Sequence, residues 1–452
     1  EKVLTLDVAA AEAWDPERPF LYTLVVTLRR KGRPVAQAES CRVGWRRVAI
    51  GADGVLRVNG RAVTVAGANR HEHDPKSGKA VTKASMELDV IQMKRHNFNA
   101  VRCSHYPTHP WFYELCDRYG LFVVDEANIE THGMGPYDKL SNHTKWRQAY
   151  MDRLQRMYFR DKCHPSIIAW SLGNESGYGS HHDDMADWIR EKDKSRVLMY
   201  EPASYQEREA GRGYATDIIS PMYARPQECI HLANEQKGPK KMPLILCEYS
   251  HAMGNSNGNL HKYWDIFWDP QHPLIQGGFV WDWVDQGLER ADRRGGGRPP
   301  YWVYGGDFGE EVHDANFCIN GLVLPDRTPK PGCLEAKYLQ QPFSLCVHSV
   351  EVRTSSHDTE RAVVKLQLVA KNRYTFTDAL GEVLSLEWEA AVNGAPVARG
   401  AAERISPPAS SAVGPRDYLF GATFTTDKLL SSDELWVTAT GRLKRALPWA
   451  PA

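Results

Sequence analysis

Eight short, apolar strand patterns alternate with helical stretches between residues 55 and 335, and the segments on either side read as strands only. These two observations predict a multidomain α/β and all-β protein, a (β/α)8 (TIM) barrel flanked by immunoglobulin-like β-sandwiches. The expected parts are residues 1–50 as the C-terminal part of one sandwich, 51–335 as the barrel, and 336–452 as a second sandwich, open to being incomplete at Ala452.

The N-terminal strands are Phe20–Arg30, rich in aromatic and β-branched residues and bracketed by Pro19 and Gly32, and a second candidate over Val35–Val48. Two or three strands cannot close a sandwich, and the chain opens on Glu1 rather than Met, so a longer protein upstream is expected. The barrel strands are expected at Val63–Ala68, Ala100–Cys103, Leu121–Asp125, Ile167–Leu172, Val197–Tyr200, Ile218–Met222, Leu244–Cys247 and Gly278–Trp281. Helices are expected at Met86–His96, Trp111–Tyr119, Lys145–Arg160 and Asp183–Lys192. A doubly wound open sheet is the competing architecture, but no glycine-rich phosphate loop follows the first strand. Residues 290–300 read as a polar loop and Pro325–Pro331 as the exit linker. Beyond it come strands at Phe343–Val352, Ala362–Val369, Leu384–Val392 and Leu435–Thr440, with Asn393–Gly394 as a turn signal.

Composition narrows the function. The 452 residues carry 56 Lys plus Arg against 56 Asp plus Glu, so a protein that works by neutralising nucleic-acid phosphates is not expected. No apolar run approaches the roughly 18 residues of a membrane span. The 9 cysteines are odd in number and lack a C-x-x-C pair, a pattern that suits a reducing, cytoplasmic setting. The 14 Trp, 19 Tyr and 13 Phe serve packing first, and also suit clefts that meet the flat faces of sugar rings.

In a barrel, the residues that act on substrate follow the C-terminal ends of the strands. Here those ends are polar one after another: Asn69 to His73, Arg102 to His105, Asp125 and Glu126 with Glu130 and His132, Asn174 and Glu175, Met222 and Tyr223, Glu248 to His251, and Trp281 to Trp283. Buried polar groups cost free energy unless paired, so packing alone accounts poorly for seven such ends. Glu175 and Glu248 end strands four and seven, which face each other across the mouth. Two convergent carboxylates are the minimum equipment for glycoside hydrolysis, and a separation of about 5 Å marks the retaining mechanism. Two structural carboxylates held by Arg or by amides are the plain alternative. Glu130 and His132 lie two apart on a strand-like segment, so both side chains point the same way and, with Glu175, can hold a divalent ion. On donor type alone, imidazole favours zinc or manganese.

Seven blocks in order resemble the β-galactosidases of glycoside hydrolase family 2: Arg70–Pro75 (RHEHDP), Asn97–Pro107 (NFNAVRCSHYP), Gly120–Met134 (GLFVVDEANIETHGM), Trp170–Gly177 (WSLGNESG), Pro221–Pro226 (PMYARP), Ile245–Ser256 (ILCEYSHAMGNS) and Gln276–Gln286 (QGGFVWDWVDQ). The likeness is dense over the barrel and loose over the flanks. It implies Glu175 as general acid/base and Glu248 as the nucleophile that forms a covalent galactosyl-enzyme. It implies that His71, His105, Asn174, Met222, Tyr223, His251 and Trp281 shape the galactose subsite. It implies magnesium at Glu130, His132 and Glu175, against the preference read from donor type. It also implies sodium at the backbone of Phe317 and the side chain of Asn320, a site expected to be incomplete because the family's aspartate lies upstream of Glu1. His313 stands where relatives have an Asn near the magnesium loop, a departure that bears on any second magnesium. The substrate class implied is β-D-galactosides such as lactose, and the whole protein is expected to be a homo-oligomer. The family has five domains, of which this chain resembles the end of the second, the third and much of the fourth. The missing domains lend residues to the pocket walls, so the isolated chain is expected to be weakly active or inactive.

Three other readings compete. A β-glucuronidase or β-mannosidase of the same clan is one, although a glucuronidase should bring basic residues to the sugar carboxylate and these strand ends are dominated by His, Asn and Trp. A metal-dependent amidohydrolase is the second, because His71-Glu72-His73 has that superfamily's spacing, although strand four offers no metal-bridging lysine. A carbohydrate-binding relic without activity is the third.

Overall fold

The computed structural model describes residues 7–32, 35–135, 138–205, 214–236, 241–291, 300–354, 359–401 and 417–450. It divides into two compact units, 1–340 and 341–452. Most of the polar loop expected at 290–300 lies outside the described residues.

The first unit opens on an antiparallel pair, Tyr22–Arg29 with Val35–Val43, exposed over most of both faces. A small antiparallel sheet of Val48–Ile50, Leu56–Val58 and Arg61–Ala62 follows and lies under the barrel floor. Buried Gln276 stitches it on: its Oε1 accepts from Leu56 N at 2.7 Å, and its Nε2 donates to the carbonyls of Leu56 and Val63.

The barrel strands are Val65–Arg70, Ala100–Cys103, Phe122–Glu126, Ile167–Ser171, Val197–Met199, Leu244–Tyr249 and Ile275–Val280. All pairs are parallel, in the spatial order five, four, three, two, one, eight, seven. The strand expected at Ile218–Met222 is not a regular one. Ile219 bridges Leu244 and Met222 bridges Glu248, so the segment does stand in the sixth position. On its other side only the Asp217 amide reaches the Leu198 carbonyl, at 2.9 Å. The Asp217 carboxylate takes the Leu198 amide instead, and the Thr216 hydroxyl takes that of Tyr200. Short polar side chains that bond backbone in this way displace a ladder, and the barrel closes along this seam.

Inward positions follow the two-residue period of a strand. The lower levels are apolar, with Val65, Ala100, Phe122, Val124, Ala169, Ile245 and Phe279 lining the interior. Gly67 makes room for Phe279, since a Cβ there would stand 2.3 Å from the ring. Towards the C-terminal ends the same faces turn polar at Asn69, Arg102, Glu126 and Ser171, and Glu248, past a register shift in its strand, joins them; all five are buried. The floor is thus a packed core and the mouth is a polar layer resting on it. Gly277 pairs with Val65 in the left-handed region at φ 99°, and a Cβ there would meet the Val65 carbonyl at 2.1 Å. Gly277→Ala is expected to cost about 2–4 kcal/mol, from backbone strain and overpacking together, read as a lowered urea midpoint.

Helices sit where their caps place them. Thr82 and Ser85 form a capping box ahead of Lys83–Arg95, and Pro110 opens Pro110–Tyr119, which Gly120 ends at φ 78°. The exit linker expected over Pro325–Pro331 runs only to Lys330, because Pro331 is the first residue of helix Pro331–Leu339 and its fixed φ suits that position.

The second unit holds two three-stranded antiparallel sheets. One is Phe343–Thr354, Arg361–Asn372 and Tyr418–Asp427, and the other is Ala395–Ala401, Leu384–Val392 and Leu435–Leu443. Leu368, Leu386 and Phe420 centre one core cluster, and Leu366, Trp388 and Phe424 the other. The strands Ala395–Ala401 and Tyr418–Asp427 were not among those expected. Asn393–Gly394 turns the hairpin with both φ positive, as a two-residue loop requires. No helix among the described residues is long and apolar enough to cross a membrane.

Candidate active site

The polar layer at the barrel mouth is organised by Arg102, on strand two and 2% exposed. Its Nε donates to Glu126 Oε2 at 2.9 Å. Its Nη1 donates to Asn69 Oδ1 at 2.9 Å and to Glu248 Oε1 at 3.1 Å. Its Nη2 donates to Asn174 Oδ1 at 2.8 Å. One guanidinium therefore ties together the ends of strands one, two, three, four and seven. Burial works against its charge, but Glu126, Cys247 and Glu248 more than offset this and hold Arg102 above the usual guanidinium range. Burial likewise presses Glu126 upward, and Arg102 with the His105 hydrogen bond overcomes it, so Glu126 lies below the usual carboxylate value.

Glu248 has both oxygens engaged. Oε1 accepts from Arg102, and Oε2 accepts from the Tyr223 hydroxyl at 2.7 Å. Burial first, and then the neighbouring Glu248 charge, push the Tyr223 phenol well up, so it stays a donor. Met222 pairs with Glu248 through backbone, and Tyr223 N donates to Glu248 O at 2.8 Å. Three non-glycine residues at these strand ends, Glu175, Tyr223 and Ser250, stand in the left-handed region at φ 32°, 53° and 51°. Such strain gathers where surrounding structure fixes a side chain against its own preference.

One wall is aromatic. The His105 ring stacks on Trp281 at 5.2 Å and 10°, and His71 meets both edge-on at 5.7 and 5.5 Å. His105 Nδ1 is held by Glu126 Oε1 at 2.7 Å, and Nε2 lies 3.8 Å from Glu248 Oε1. Burial, with His105 and nearby cations, lowers His71 well below the ordinary imidazole range and keeps it neutral. Opposite, His251 lies between Tyr223 and Phe317, each ring 6.0 Å away. The Phe317 carbonyl accepts from Asn320 Nδ2 at 2.8 Å, and Asn320 Oδ1 is buried without a partner among the described residues.

The third grouping is Glu130, His132 and Glu175. One ligand atom from each lies within 4.8 Å of the others. His132 Nδ1 is 2.7 Å from Glu175 Oε2, and that hydrogen bond, then the charge itself, raises His132. Glu130 Oε2 accepts from Asn174 Nδ2 at 2.6 Å, and burial raises Glu130. Asn174 therefore touches both Arg102 and the neighbour of Glu175, which joins this cluster to the Glu248 centre. Two carboxylates and an imidazole in one spot fit a divalent cation.

The residues expected from sequence thus fall into one connected mouth: Glu175, Glu248, His71, His105, Asn174, Met222, Tyr223, His251 and Trp281, with Glu130 and His132 beside them and Phe317 with Asn320 at the rim. The amidohydrolase spacing does not converge. His73 Nε2 turns away to the Gly287 carbonyl at 2.8 Å, and Glu72 Oε1 is taken by the Thr108 hydroxyl and the His109 amide. Arg102, Glu126 and Asn69 stood among the polar strand ends without a role. A polar or charged residue at an inward position of a doubly buried parallel strand was the signal that marked them.

Residues 48–345 match the sequence model described as Glycosyl hydrolases family 2, TIM barrel domain, and residues 1–46 match Glycosyl hydrolases family 2. A barrel whose mouth gathers these carboxylates therefore belongs to glycosyl hydrolase family 2. Among curated relatives, the β-galactosidase of Yersinia enterocolitica serotype O:8 is 43% identical over 99% of this chain, and that of Yersinia pestis biovar Antiqua strain Angola is 42% identical over the same share. The chain spans 40% of the length of each. Solved structures share the fold at lower identity. A Ruminococcus gnavus β-glucuronidase superposes with a TM-score of 0.59 at 19% identity over 74% of this chain and 59% of its own. A family 2 member from Bacteroides cellulosilyticus superposes with 0.56 at 16% identity over 95% and 53%.

Proposed function

We propose that this chain carries the catalytic centre of a β-galactosidase that releases terminal β-D-galactose with retention of configuration. The observation that carries the reading is Glu248, held as an acceptor by Arg102 and Tyr223, in one network with the residue next to Glu175. In this reading Glu248 attacks the anomeric carbon and Glu175 protonates the departing oxygen. Water then attacks on the same face while Glu175 takes its proton back. Tyr223, close to Glu248 Oε2, draws charge from the carboxylate as the covalent bond breaks. Trp281 and the imidazoles of His71, His105 and His251 supply an apolar plane and hydroxyl partners for the sugar ring.

Glu130, His132 and Glu175 would hold magnesium, with water filling its remaining positions. When bound, the ion supplies positive charge beside Glu175. Asn320 Oδ1 and the Phe317 carbonyl would contribute to a sodium site. Added magnesium is expected to raise the thermal midpoint of the chain, by the equivalent of about 2.7 kcal/mol at a hundredfold excess over its dissociation constant. Glu130→Gln should remove most of that shift, and an equal shift in the variant would argue against the site.

The test of the function is a panel of nitrophenyl glycosides given to the whole protein at its natural length. The β-D-galactoside is expected to be cleaved far faster than the β-D-glucuronide or β-D-mannoside, with the β-anomer of galactose appearing first by NMR. Preference for another sugar, or first appearance of the α-anomer, would overturn it.

A further inference from the structure

Glu175 sits in a loop that begins at Leu172 and runs to helix Ser180–Lys192, and Glu130 and His132 sit in a separate loop after strand three. The relative placement of these loops sets the geometry of their shared cluster. Backbone pairing joins the two loops at one point, the Glu130–Asn174 bridge, where Asn174 N donates to Ile129 O at 2.8 Å, and Thr131, His132 and Glu175 lie past it. A third segment, helix Lys139–Asn142, packs directly on the Glu175 loop. A Cβ on Gly177 would meet the Asp138 amide at 2.6 Å, and one on Gly179 would meet the Ser141 carbonyl at 2.5 Å.

Three hydroxyls run through this contact. Ser141 Oγ donates to the Ser176 carbonyl at 2.6 Å. That uses the only proton on Ser141, so the Tyr150 hydroxyl, 3.0 Å away, is the donor to Ser141 Oγ. Tyr150 has then spent its proton too, so in its hydrogen bond with Thr131 it is the acceptor. The chain therefore has one direction: Thr131 to Tyr150, Tyr150 to Ser141, Ser141 to the carbonyl that follows Glu175. Thr131 stands between Glu130 and His132. Ser141 and Tyr150 are both buried, where hydrogen bonds in series strengthen one another.

We propose that Tyr150 and Ser141 are positioning residues, a hydroxyl chain that spaces the Glu175 loop against the Glu130–His132 loop and so sets where Glu175 can deliver its proton. This rests on the reading of Glu175 as proton donor. Neither side chain touches the reacting atoms. Their loss displaces Glu175 without removing it, and the deficit falls on substrates that need their leaving oxygen protonated.

The test compares kcat/KM of the whole protein on lactose or a methyl β-D-galactoside, which have basic leaving groups, with that on 2,4-dinitrophenyl β-D-galactoside, whose leaving group departs without a proton. Tyr150→Phe and Ser141→Ala are each expected to lower the first about tenfold and to leave the second within twofold. A purely structural role lowers both together, along with the thermal midpoint. Ser141→Ala, the smaller change, serves if Tyr150→Phe folds poorly. Glu175→Gln is the reference: it should show the same split, larger. If Glu175→Gln shows the split and neither hydroxyl variant does, the positioning proposal is overturned. If Glu175→Gln shows none, the reading of Glu175 falls and takes the proposal with it.

Discussion

Glu248→Gln is expected to lower galactoside hydrolysis by several powers of ten while leaving the fold intact. Each tenfold is about 1.4 kcal/mol of transition-state stabilisation, so the loss is far larger than any single contact in the mouth supplies. The amide oxygen can still accept from Arg102, the NH2 that replaces the other oxygen can donate to the Tyr223 hydroxyl, and Glu126 still pairs with Arg102, so the thermal midpoint should fall less than when the guanidinium itself is removed, but a neutral amide cannot form the covalent ester. Steady-state rates on a nitrophenyl galactoside, beside a melting curve, check both halves. Retained activity would remove Glu248 from the role of nucleophile.

Arg102→Met is expected to be the most damaging single change to stability in the barrel mouth. The guanidinium is the cation that both Glu126 and Glu248 face, at 2.9 and 3.1 Å, and all three side chains are buried. Removing one partner of a buried ion pair costs about 3–5 kcal/mol, because the other charge stays behind without compensation. Asn69 and Asn174 lose their donor as well. Urea unfolding should show the loss, and activity should vanish with it. Arg102→Lys restores one charge but cannot span four acceptors, so it should recover only part of the stability.

Much of this was legible in the sequence. Ala100–Cys103 and Leu384–Val392 coincide with the strands observed, and the other regular barrel strands agree to within about three residues. Parallel strands buried on both faces read as short apolar runs, and that signal is strong. The candidate site residues could be picked out because a polar strand end after an apolar run is unusual. The sixth position was misread as a regular strand because Ile218–Met222 has the right composition, while the neighbours that interrupt the ladder, Thr216 and Asp217, act through side chains. The helix at Pro331 was missed because two prolines near each other look like a linker, whereas one of them is a helix start. Strand Ala395–Ala401 was missed because Ala, Gly and Pro dominate it; cross-strand pairing with Leu384–Val392, not local propensity, makes it a strand. The cis peptides Ser104–His105 and Trp281–Asp282 have no sequence signature either.

The seam between the fifth and sixth positions has a dynamic consequence. Elsewhere in the barrel adjacent strands share several backbone bonds, whereas here one amide-to-carbonyl bond is joined by side-chain bonds from Asp217, Thr216 and Ser204. The seam is therefore where local opening of the cylinder is expected to cost least, below the free energy of global unfolding, and amide exchange of residues 217–220 would read it. Tyr223 follows the seam by a few residues, and the bridges of Ile219 to Leu244 and Met222 to Glu248 hold it to the strand that carries Glu248. The partner of the proposed nucleophile thus follows the segment with the fewest regular backbone bonds to one neighbour, whereas Asn174, beside the proposed acid, is tied by backbone to the loop after strand three.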